Sequence, residues 1–525
     1  MPQRPVAADR PLPPSKRLQA PAARRWLFVS PCLLLALITV IFLYRSPHSA
    51  SDLEIVPDSV EYALAARRFA LQCSYSIEIN HSEFPPRYPP GFSVAALAPA
   101  YLLLPESLGA GILAVLAFAV VGALAAYGIG RRLSGTWGGF AAGLCLAAYK
   151  GYAAMSRLIM SDVPLAALFL VGCLLYMRMR TRTRPLDYVL AGLLTAYAFA
   201  IRTEGLVLLL PFALLWLRDR RKPATGWFGL LAPTAIVIGA TLAYNHAVFG
   251  QWMRTGYQFW CAVPYDYPGL VMSVHYLPAN LRLLFAWPEG KQCLFAFAAG
   301  AIGIALLMRR SARRALPPLR FAALTALPVS IAHLFYFYPA YRFHLPLFSF
   351  CLICFGAGIA AFVPRAIRSG KSLAAIAGAA ACGALLLRPA ERPTPRLRAA
   401  IAIARVTPRN SLILTNIDAV YMYPIVLGHT GRSVLPLTRD AEYASKCISL
   451  HRAPHPIPAP SSPLDHRCAG LLRAGAREVF PYVLVEAPQR VAEIASGGRP
   501  VFIDLSAAPP GFPDQEVSRW LKLVP

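Results

Sequence analysis

Charge is what this sequence has least of. Asp, Glu, Lys and Arg make up 15% of its 525 residues, against about 25% in a soluble domain, so most of the chain does not present a water-facing surface. Acidic residues are scarcer still, 25 against 52 Lys and Arg. In a soluble protein the resulting formal charge of +27 would suggest a nucleic-acid partner. Here the basic residues sit in short connections between apolar segments, the positive-inside pattern of a membrane protein, and no nucleic acid is expected. The signatures of soluble enzymes are missing as well: there is no H-E-x-x-H, no G-x-S-x-G in context and no G-x-G-x-x-G after a strand. Ser369-Gly370-Lys371-Ser372 looks like the end of a phosphate-binding loop, but Arg365 stands where its first glycine belongs.

What the chain has is apolar length: 57% hydrophobic residues and a mean hydropathy of +0.49. A helix needs roughly 20 apolar residues to cross a bilayer, and about eleven such spans are read at 26–44, 108–130, 137–154, 162–177, 186–201, 205–217, 226–248, 292–308, 320–338, 342–363 and 372–388. The segment 92–104 reads as an interfacial helix. With the basic tail 1–25 in the cytoplasm, Arg131–Arg132, Arg178–Arg184, Arg218–Lys222, Arg309–Arg314 and Arg365–Lys371 all fall on that same side. No small-residue cleavage site follows the first apolar run cleanly, so a signal anchor fits better than a removed signal peptide. The expected fold is a mainly α, polytopic transmembrane bundle over 26–388. After it, 389–525 reads as a small soluble α/β domain on the outer face. Its helix is expected at Arg396–Val406, with strands at Ser411–Thr415, Glu478–Val485 and Val501–Leu505. Cys447 and Cys468 lie there and would be able to pair in an oxidising compartment. Cys351 and Cys354 lie in an apolar run, where thiols act as small apolar side chains.

Nearly all the unusual polar residues fall to the outer side. The first outer loop, 45–91, carries Pro57-Asp58-Ser59-Val60-Glu61-Tyr62. On a helix Asp58, Glu61 and Tyr62 share a face. Asp58 then reads either as a helix cap with Glu61 closing a capping box, or as a general base or cation ligand at the membrane surface. Pro85-Pro86-Arg87-Tyr88-Pro89-Pro90-Gly91-Phe92 makes a stiff turn that either re-enters the membrane or holds a phosphate on Arg87. Met160-Ser161-Asp162-Val163-Pro164 opens the fourth span, with Arg157 one turn before. Asp162 reads as a helix start signal or as an ionisable site residue. Arg202-Thr203-Glu204-Gly205 closes a short outer turn. Thr255-Gly256-Tyr257 follows the seventh span, and Tyr341-Arg342-Phe343-His344 opens the tenth.

These motifs occur in order and on one side, and together they resemble a family. D-S-x-x-Y, Y-P-P-G-F, M-S-D-x-P, R-T-E-G-L, N-x-x-x-F-G with T-G-Y, and Y-R-F-x-L-P look like the polytopic GT-C glycosyltransferases. They are similar to the bacterial relatives of protein O-mannosyltransferases and lipid A aminoarabinose transferases. The likeness covers about residues 26–365. It implies transfer of a hexose or pentose from a polyprenyl-phosphate donor to a lipid, glycan or protein acceptor on the outer face, usually with inversion. It also implies residence in the lipid bilayer of a bacterial inner membrane, N-terminus inside and C-terminal domain periplasmic. By the same resemblance Asp58 is the first-loop catalytic carboxylate and Asp162 the second acidic position, while Arg87, Arg202 and Arg342 hold the donor phosphate. Glu61, Tyr62, Tyr88, Arg157, Glu204, Tyr257 and His344 are supporting residues. Relatives differ in needing a divalent cation, which leaves the cofactor open. Ser59 stands where the protein-mannosylating branch has a second adjacent acid, so the acceptor class is not carried over. A secondary transporter is the competing reading, weakened because no two halves carry matching broken hydrophobic segments. A non-catalytic assembly partner with the same fold is the third.

Overall fold

A computed structural model describes residues 20–45, 57–79, 82–181, 184–218, 224–260, 265, 268–286, 290–362, 395–415, 431–436 and 496–503. The architecture is mainly helical. In chain order the helices are α1 (Ala20–Leu43), α2 (Pro57–Gln72), α3 (Ala98–Leu103), α4 (Gly111–Ala148), α5 (Lys150–Ser156), α6 (Asp162–Met179), α7 (Pro185–Ile201), α8 (Leu209–Arg218), α9 (Ala224–Phe249) and α10 (Gly256–Trp260). There follow α11 (Pro268–Val271), α12 (Leu277–Phe285), α13 (Lys291–Leu324), α14 (Ala326–His333), α15 (Leu345–Phe362) and α16 (Pro395–Val406).

Among the described residues, five helical stretches are long and apolar enough to cross a membrane: Leu108–Ala148, Asp162–Met179, Thr225–Phe249, Lys291–His333 and Tyr341–Phe362. Pro31–Leu43, Phe92–Leu103 and Pro185–Ile201 are apolar but shorter. These stretches do not map one to one onto the eleven expected spans, because some of them join two expected spans across a kink. The pair expected at 108–130 and 137–154 is joined into α4, which breaks at Ser134 and at Gly135, whose φ is +86°. A side chain rarely adopts that backbone conformation, and glycine does so freely. The two arms of α4 fold back on each other: a Cβ on Gly139 would lie 2.7 Å from the Tyr127 carbonyl oxygen, and one on Gly143 would lie 2.9 Å from that of Ala123. The stretch expected at 205–217 is divided between a 3-10 turn, Thr203–Leu208, and the short α8. The span expected at 372–388 lies outside the described residues.

The bundle is tied by α13 against α15, α15 and α6 against the α4 hairpin, and α7 against α9. Small residues let these apolar helices approach closely. Cys351 and Cys354 of α15 meet α13 at Gly300 and Gly303, where any Cβ would lie within 2.6 Å of them. The segment expected to be a loop at 45–91 carries α2 and a hairpin of β1 (Ile77–Ile79) and β2 (Ser82–Phe84). Toward the C-terminus, β3 (Leu412–Thr415) pairs in parallel with both β4 (Ser433–Pro436) and β5 (Val501–Ile503). The helix and two of the expected strands thus have counterparts in α16, β3 and β5. The strand expected at Glu478–Val485, the boundary at 388–389, Cys447 and Cys468 lie outside the described residues.

Candidate active site

Asp58 is in the first turn of α2, where a carboxylate would ordinarily serve the helix end. Its Oδ2 instead accepts from Arg342 Nη2 at 2.9 Å. Arg342 belongs to a short 3-10 turn, Tyr341–His344, that leads into α15, so this ion pair joins segments 284 positions apart. Glu61, one turn further along α2, does not close a capping box on Asp58. It accepts from the Arg87 backbone N–H and lies 3.9 Å from Arg87 Nε. Both side chains are buried, and this pairing pins the proline-rich turn to α2. Tyr75 reinforces it by donating to the carbonyls of Tyr88 and Pro89 at 3.0 and 3.2 Å.

Asp162 starts α6, but Ser161 is the N-cap residue and no side chain caps there. The Asp162 carboxylate accepts from Arg202 Nη1 at 2.7 Å. Its other oxygen, Oδ2, is buried and has no hydrogen-bond partner among the described residues. Arg202 also holds Glu204, with Nη2 to Oε1 at 2.9 Å and Nε to Oε2 at 3.4 Å. His333 Nε2 lies 3.4 Å from the same Glu204 Oε1.

One ring gathers these ion pairs. The guanidinium carbons of Arg202 and Arg342 lie 5.4 and 5.3 Å from the centroid of Phe343, within cation–π range. His333 stacks on the same ring at 4.5 Å. A wall of tyrosines continues from there. Tyr62 stacks on Tyr88 at 4.3 Å, Tyr88 meets Tyr257 edge-on at 5.5 Å, and Tyr257 meets Tyr265 at 4.8 Å. Tyr265 and Tyr336 share a 2.7 Å hydroxyl contact, and Tyr336 returns to Phe343 at 5.7 Å.

Burial alone would raise the Asp58 carboxyl, but the Arg342 charge, the Tyr88 hydroxyl and Arg87 outweigh it and hold the group below the usual aspartate range. Glu204 is likewise opposed by burial and pulled far below the ordinary glutamate range by Arg202 and His333. Burial pushes the phenols of Tyr62, Tyr88 and Tyr257 upward, so they stay protonated and available as donors.

The structure therefore brings together Asp58, Glu61, Tyr62, Arg87, Tyr88, Asp162, Arg202, Glu204, Tyr257 and Arg342. Arg157 ends α5, and its carbonyl accepts from Arg45 at 3.1 Å. His344 is buried beneath the cluster, its ring 6.4 Å from His333 and 6.0 Å from Phe348. Sequence reasoning missed Phe343, His333, Tyr265 and Tyr336. Phe343 lies inside the Y-R-F-x-L-P motif, so a signal was present; His333 sits in an apolar run with none. As to a cation, no group of three or more His, Cys, Asp or Glu among the described residues is arranged to hold a metal ion.

Residues 89–244 match the family model of dolichyl-phosphate-mannose-protein mannosyltransferase. This stretch contains Pro90-Gly91-Phe92, Met160–Pro164 and Arg202–Gly205, and it bears out the resemblance to GT-C membrane glycosyltransferases. Asp58 and Arg342 lie outside it. No curated protein matches the chain. Among solved structures the chain is similar to ArnT from Cupriavidus metallidurans bound to undecaprenyl phosphate, at 17% identity and a TM-score of 0.47, covering 91% of this chain and 80% of that one. It is also similar to the oligosaccharyltransferase AglB from Archaeoglobus fulgidus in complex with an inhibitory peptide and a dolichol-phosphate. There the identity is 13% and the TM-score 0.48, covering 88% of this chain and 72% of that one.

Proposed function

We propose that this chain is an integral membrane glycosyltransferase that moves a sugar from a polyprenyl-phosphate donor to an acceptor at the outer face of the membrane. The match to a mannosyltransferase family supports the reaction class. The observation that carries the site is the pair Arg202 and Arg342 set on one aromatic ring, each holding a carboxylate from a different segment. A lipid-linked donor cannot leave the bilayer, so its enzyme needs apolar helices around the tail and a polar site at their ends for the head.

The charge count shapes the chemistry. Glu61, Asp58, Asp162 and Glu204 are four carboxylates facing three guanidiniums, those of Arg87, Arg202 and Arg342. A donor phosphate entering this cluster is best accommodated if one carboxylate gives up its hold on an arginine. Asp58 is the candidate. With Arg342 turned to the phosphate, the carboxylate loses its main opposing charge, and burial raises its proton affinity. It then accepts the proton of the acceptor hydroxyl as that oxygen attacks the anomeric carbon. The bond from that carbon to the phosphate oxygen breaks, and the electron pair leaves on the phosphate. The negative charge lost from Asp58 thus reappears on the departing polyprenyl phosphate, where Arg342 and Arg202 stabilise it. Asp162 Oδ2, unpartnered and buried, is placed to accept from a sugar or acceptor hydroxyl. The tyrosine wall offers flat apolar faces and protonated hydroxyls for the sugar.

The test is transfer of labelled sugar from polyprenyl-phosphate donors to membrane acceptors by the wild type and Asp58→Asn. Transfer that collapses in the variant supports the reading. Undiminished transfer by a well-folded Asp58→Asn removes Asp58 from the chemistry, and no transfer from any donor by the wild type favours a transporter.

A further inference from the structure

Asp162 Oδ2 is buried with no partner among the described residues, although Arg202 already grips the other oxygen at 2.7 Å. A guanidinium beside a carboxylate frequently takes both oxygens with two parallel N–H groups, and a buried acceptor left without a donor costs stability. Arg202 does not close that second bond because its other nitrogens are turned to Glu204, Nη2 to Oε1 at 2.9 Å and Nε to Oε2 at 3.4 Å. Glu204 therefore competes with Asp162 for one guanidinium. What holds Glu204 decides what Asp162 Oδ2 is free to do.

Glu204 has a second partner in His333, the last residue of α14. That ring has little freedom. Nδ1 lies 2.9 Å from the Val329 carbonyl oxygen one turn back, the ring stacks on Phe343 at 4.5 Å and 24°, and Tyr336 meets it edge-on at 5.9 Å. The ring of His344 is 6.4 Å away. Nε2 is left facing Glu204 Oε1 at 3.4 Å. A carbonyl and a carboxylate only accept, so the ring satisfies both when each nitrogen carries a proton. The side chain is 12% exposed, which leaves water little room to replace Glu204.

We propose that His333 is a positioning residue for the transfer: its Nε2–H anchors Glu204, Glu204 keeps two nitrogens of Arg202, and Asp162 Oδ2 is thereby left open to a hydroxyl of the sugar or the acceptor. The assignment rests on the reaction proposed above. His333 acts through Glu204 and Arg202. Without the anchor, Glu204 is free to turn toward water and Arg202 to close on both oxygens of Asp162. That carboxylate is then fully paired with the guanidinium, and the substrate hydroxyl loses its acceptor. The competing role is local: His333 ends α14, where a helix leaves its last carbonyls without partners, and its contact with Val329 satisfies one of them. Two amides separate the roles, because each copies one ring nitrogen. The side-chain nitrogen of an asparagine falls near the place of Nδ1 and keeps the Val329 contact. That of a glutamine falls near the place of Nε2 and keeps the contact with Glu204.

The experiment measures kcat/KM for sugar transfer, and the melting temperature, of the full chain carrying His333→Asn, His333→Gln, Glu204→Ala and the double variant His333→Asn with Glu204→Ala. His333→Asn should lower kcat/KM by about tenfold or more, since a misplacement of about 1 Å can cost about a hundredfold. His333→Gln should recover most of that loss. In the Glu204→Ala background His333→Asn should cost nothing further, because the residue it acts through is gone. An equal effect of the two His333 substitutions, a greater loss in His333→Gln, or fully additive costs in the double variant overturns the proposal and leaves His333 as a cap of α14. The anchor is also read without any transfer, as a non-additive cycle in the melting temperatures. An additive cycle in an enzyme that transfers sugar overturns this role alone, whereas a wild type that transfers nothing from any donor overturns the reaction and the role together.

Discussion

Arg342 holds Asp58 at 2.9 Å across 284 positions of sequence, and the pair fixes where the start of α2 sits against the helical bundle. Under the proposed reaction the two residues have separable duties. Asp58→Asn keeps the shape and an acceptor oxygen for Arg342 but cannot take a proton. Turnover should fall by about 10²–10⁴-fold, the usual range for a lost general base, with donor binding retained. Arg342→Lys keeps the charge but loses the planar face over Phe343, so it should raise KM for the donor as well as lower kcat. Steady-state kinetics with a synthetic donor separates the two outcomes.

The acid limb of activity should report the same pair. Asp58 is held below the ordinary aspartate value of about 3.9, so the free enzyme keeps this carboxylate ionised through that range, and kcat/KM should fall only as pH drops below it. In Arg342→Gln, burial is left opposed only by Tyr88 and Arg87, so the limb should move to higher pH. A pH profile of residual activity in the two proteins gives the sign directly. An unchanged limb would mean that Arg342 does not govern Asp58.

Glu204 makes a stability prediction. Its folded-state affinity for protons is depressed by Arg202 and His333. Its contribution to stability is then fully present above the unfolded glutamate value of about 4.3 and is lost as pH falls through the lower folded value. Glu204→Gln removes that contribution at neutral pH, so its melting temperature should lie below that of the wild type at pH 7. The difference should begin to shrink below about pH 4.3 and close only as pH approaches the much lower folded value. Thermal unfolding in detergent across that window checks it.

Phe343 carries two guanidiniums and a stacked imidazole. Phe343→Leu keeps an apolar side chain of similar bulk and removes the ring. Cation–π contacts of about 0.5–2 kcal/mol each are lost, and both arginines gain freedom to move. A rise in donor KM of about tenfold is expected, with little change in melting temperature.

How much of this was legible in the sequence depended on distance along the chain. Apolar length marked the helices, because a bilayer-spanning helix needs a long local run of one composition. It also separated the two arms of α4, which turns back at Ser134 and Gly135 between the stretches expected at 108–130 and 137–154, but the 3-10 turn that Thr203 starts is one that no hydropathy average resolves. The sidedness of the charges grouped Asp58, Asp162, Arg202 and Arg342 as candidates. It did not assign partners. That Asp58 goes to Arg342, Asp162 to Arg202 and Glu61 to Arg87 is decided by tertiary packing. Sequence spacing by itself also offered local alternatives, a capping box between Asp58 and Glu61 and a simple closing of the turn at Arg202–Gly205. Glu204 does pair with Arg202, but Arg202 also reaches Asp162 on another helix. His333 could not be found, since a lone histidine in an apolar helix has no pattern to distinguish it.

Gly256 gives the last prediction, because its role is steric. It opens α10 directly before Tyr257, and a Cβ there would lie 2.3 Å from the Pro86 carbonyl oxygen and 2.6 Å from that of Arg87. Neither atom can yield easily, since the turn is stiffened by flanking prolines and pinned through Glu61 to α2. Gly256→Ala should therefore push the 255–260 segment away from the turn and carry Tyr257 off its edge-on contact with Tyr88. A displacement of about 1 Å in a catalytic arrangement can lower the rate by about a hundredfold, and a loss of that order in transfer is expected. The bundle does not rest on this contact, so the melting temperature should change little. Gly256→Ala with full activity would mean that Tyr257 and the proline-rich turn act independently. A variant that fails to fold would mean that the contact belongs to the scaffold and not to the site.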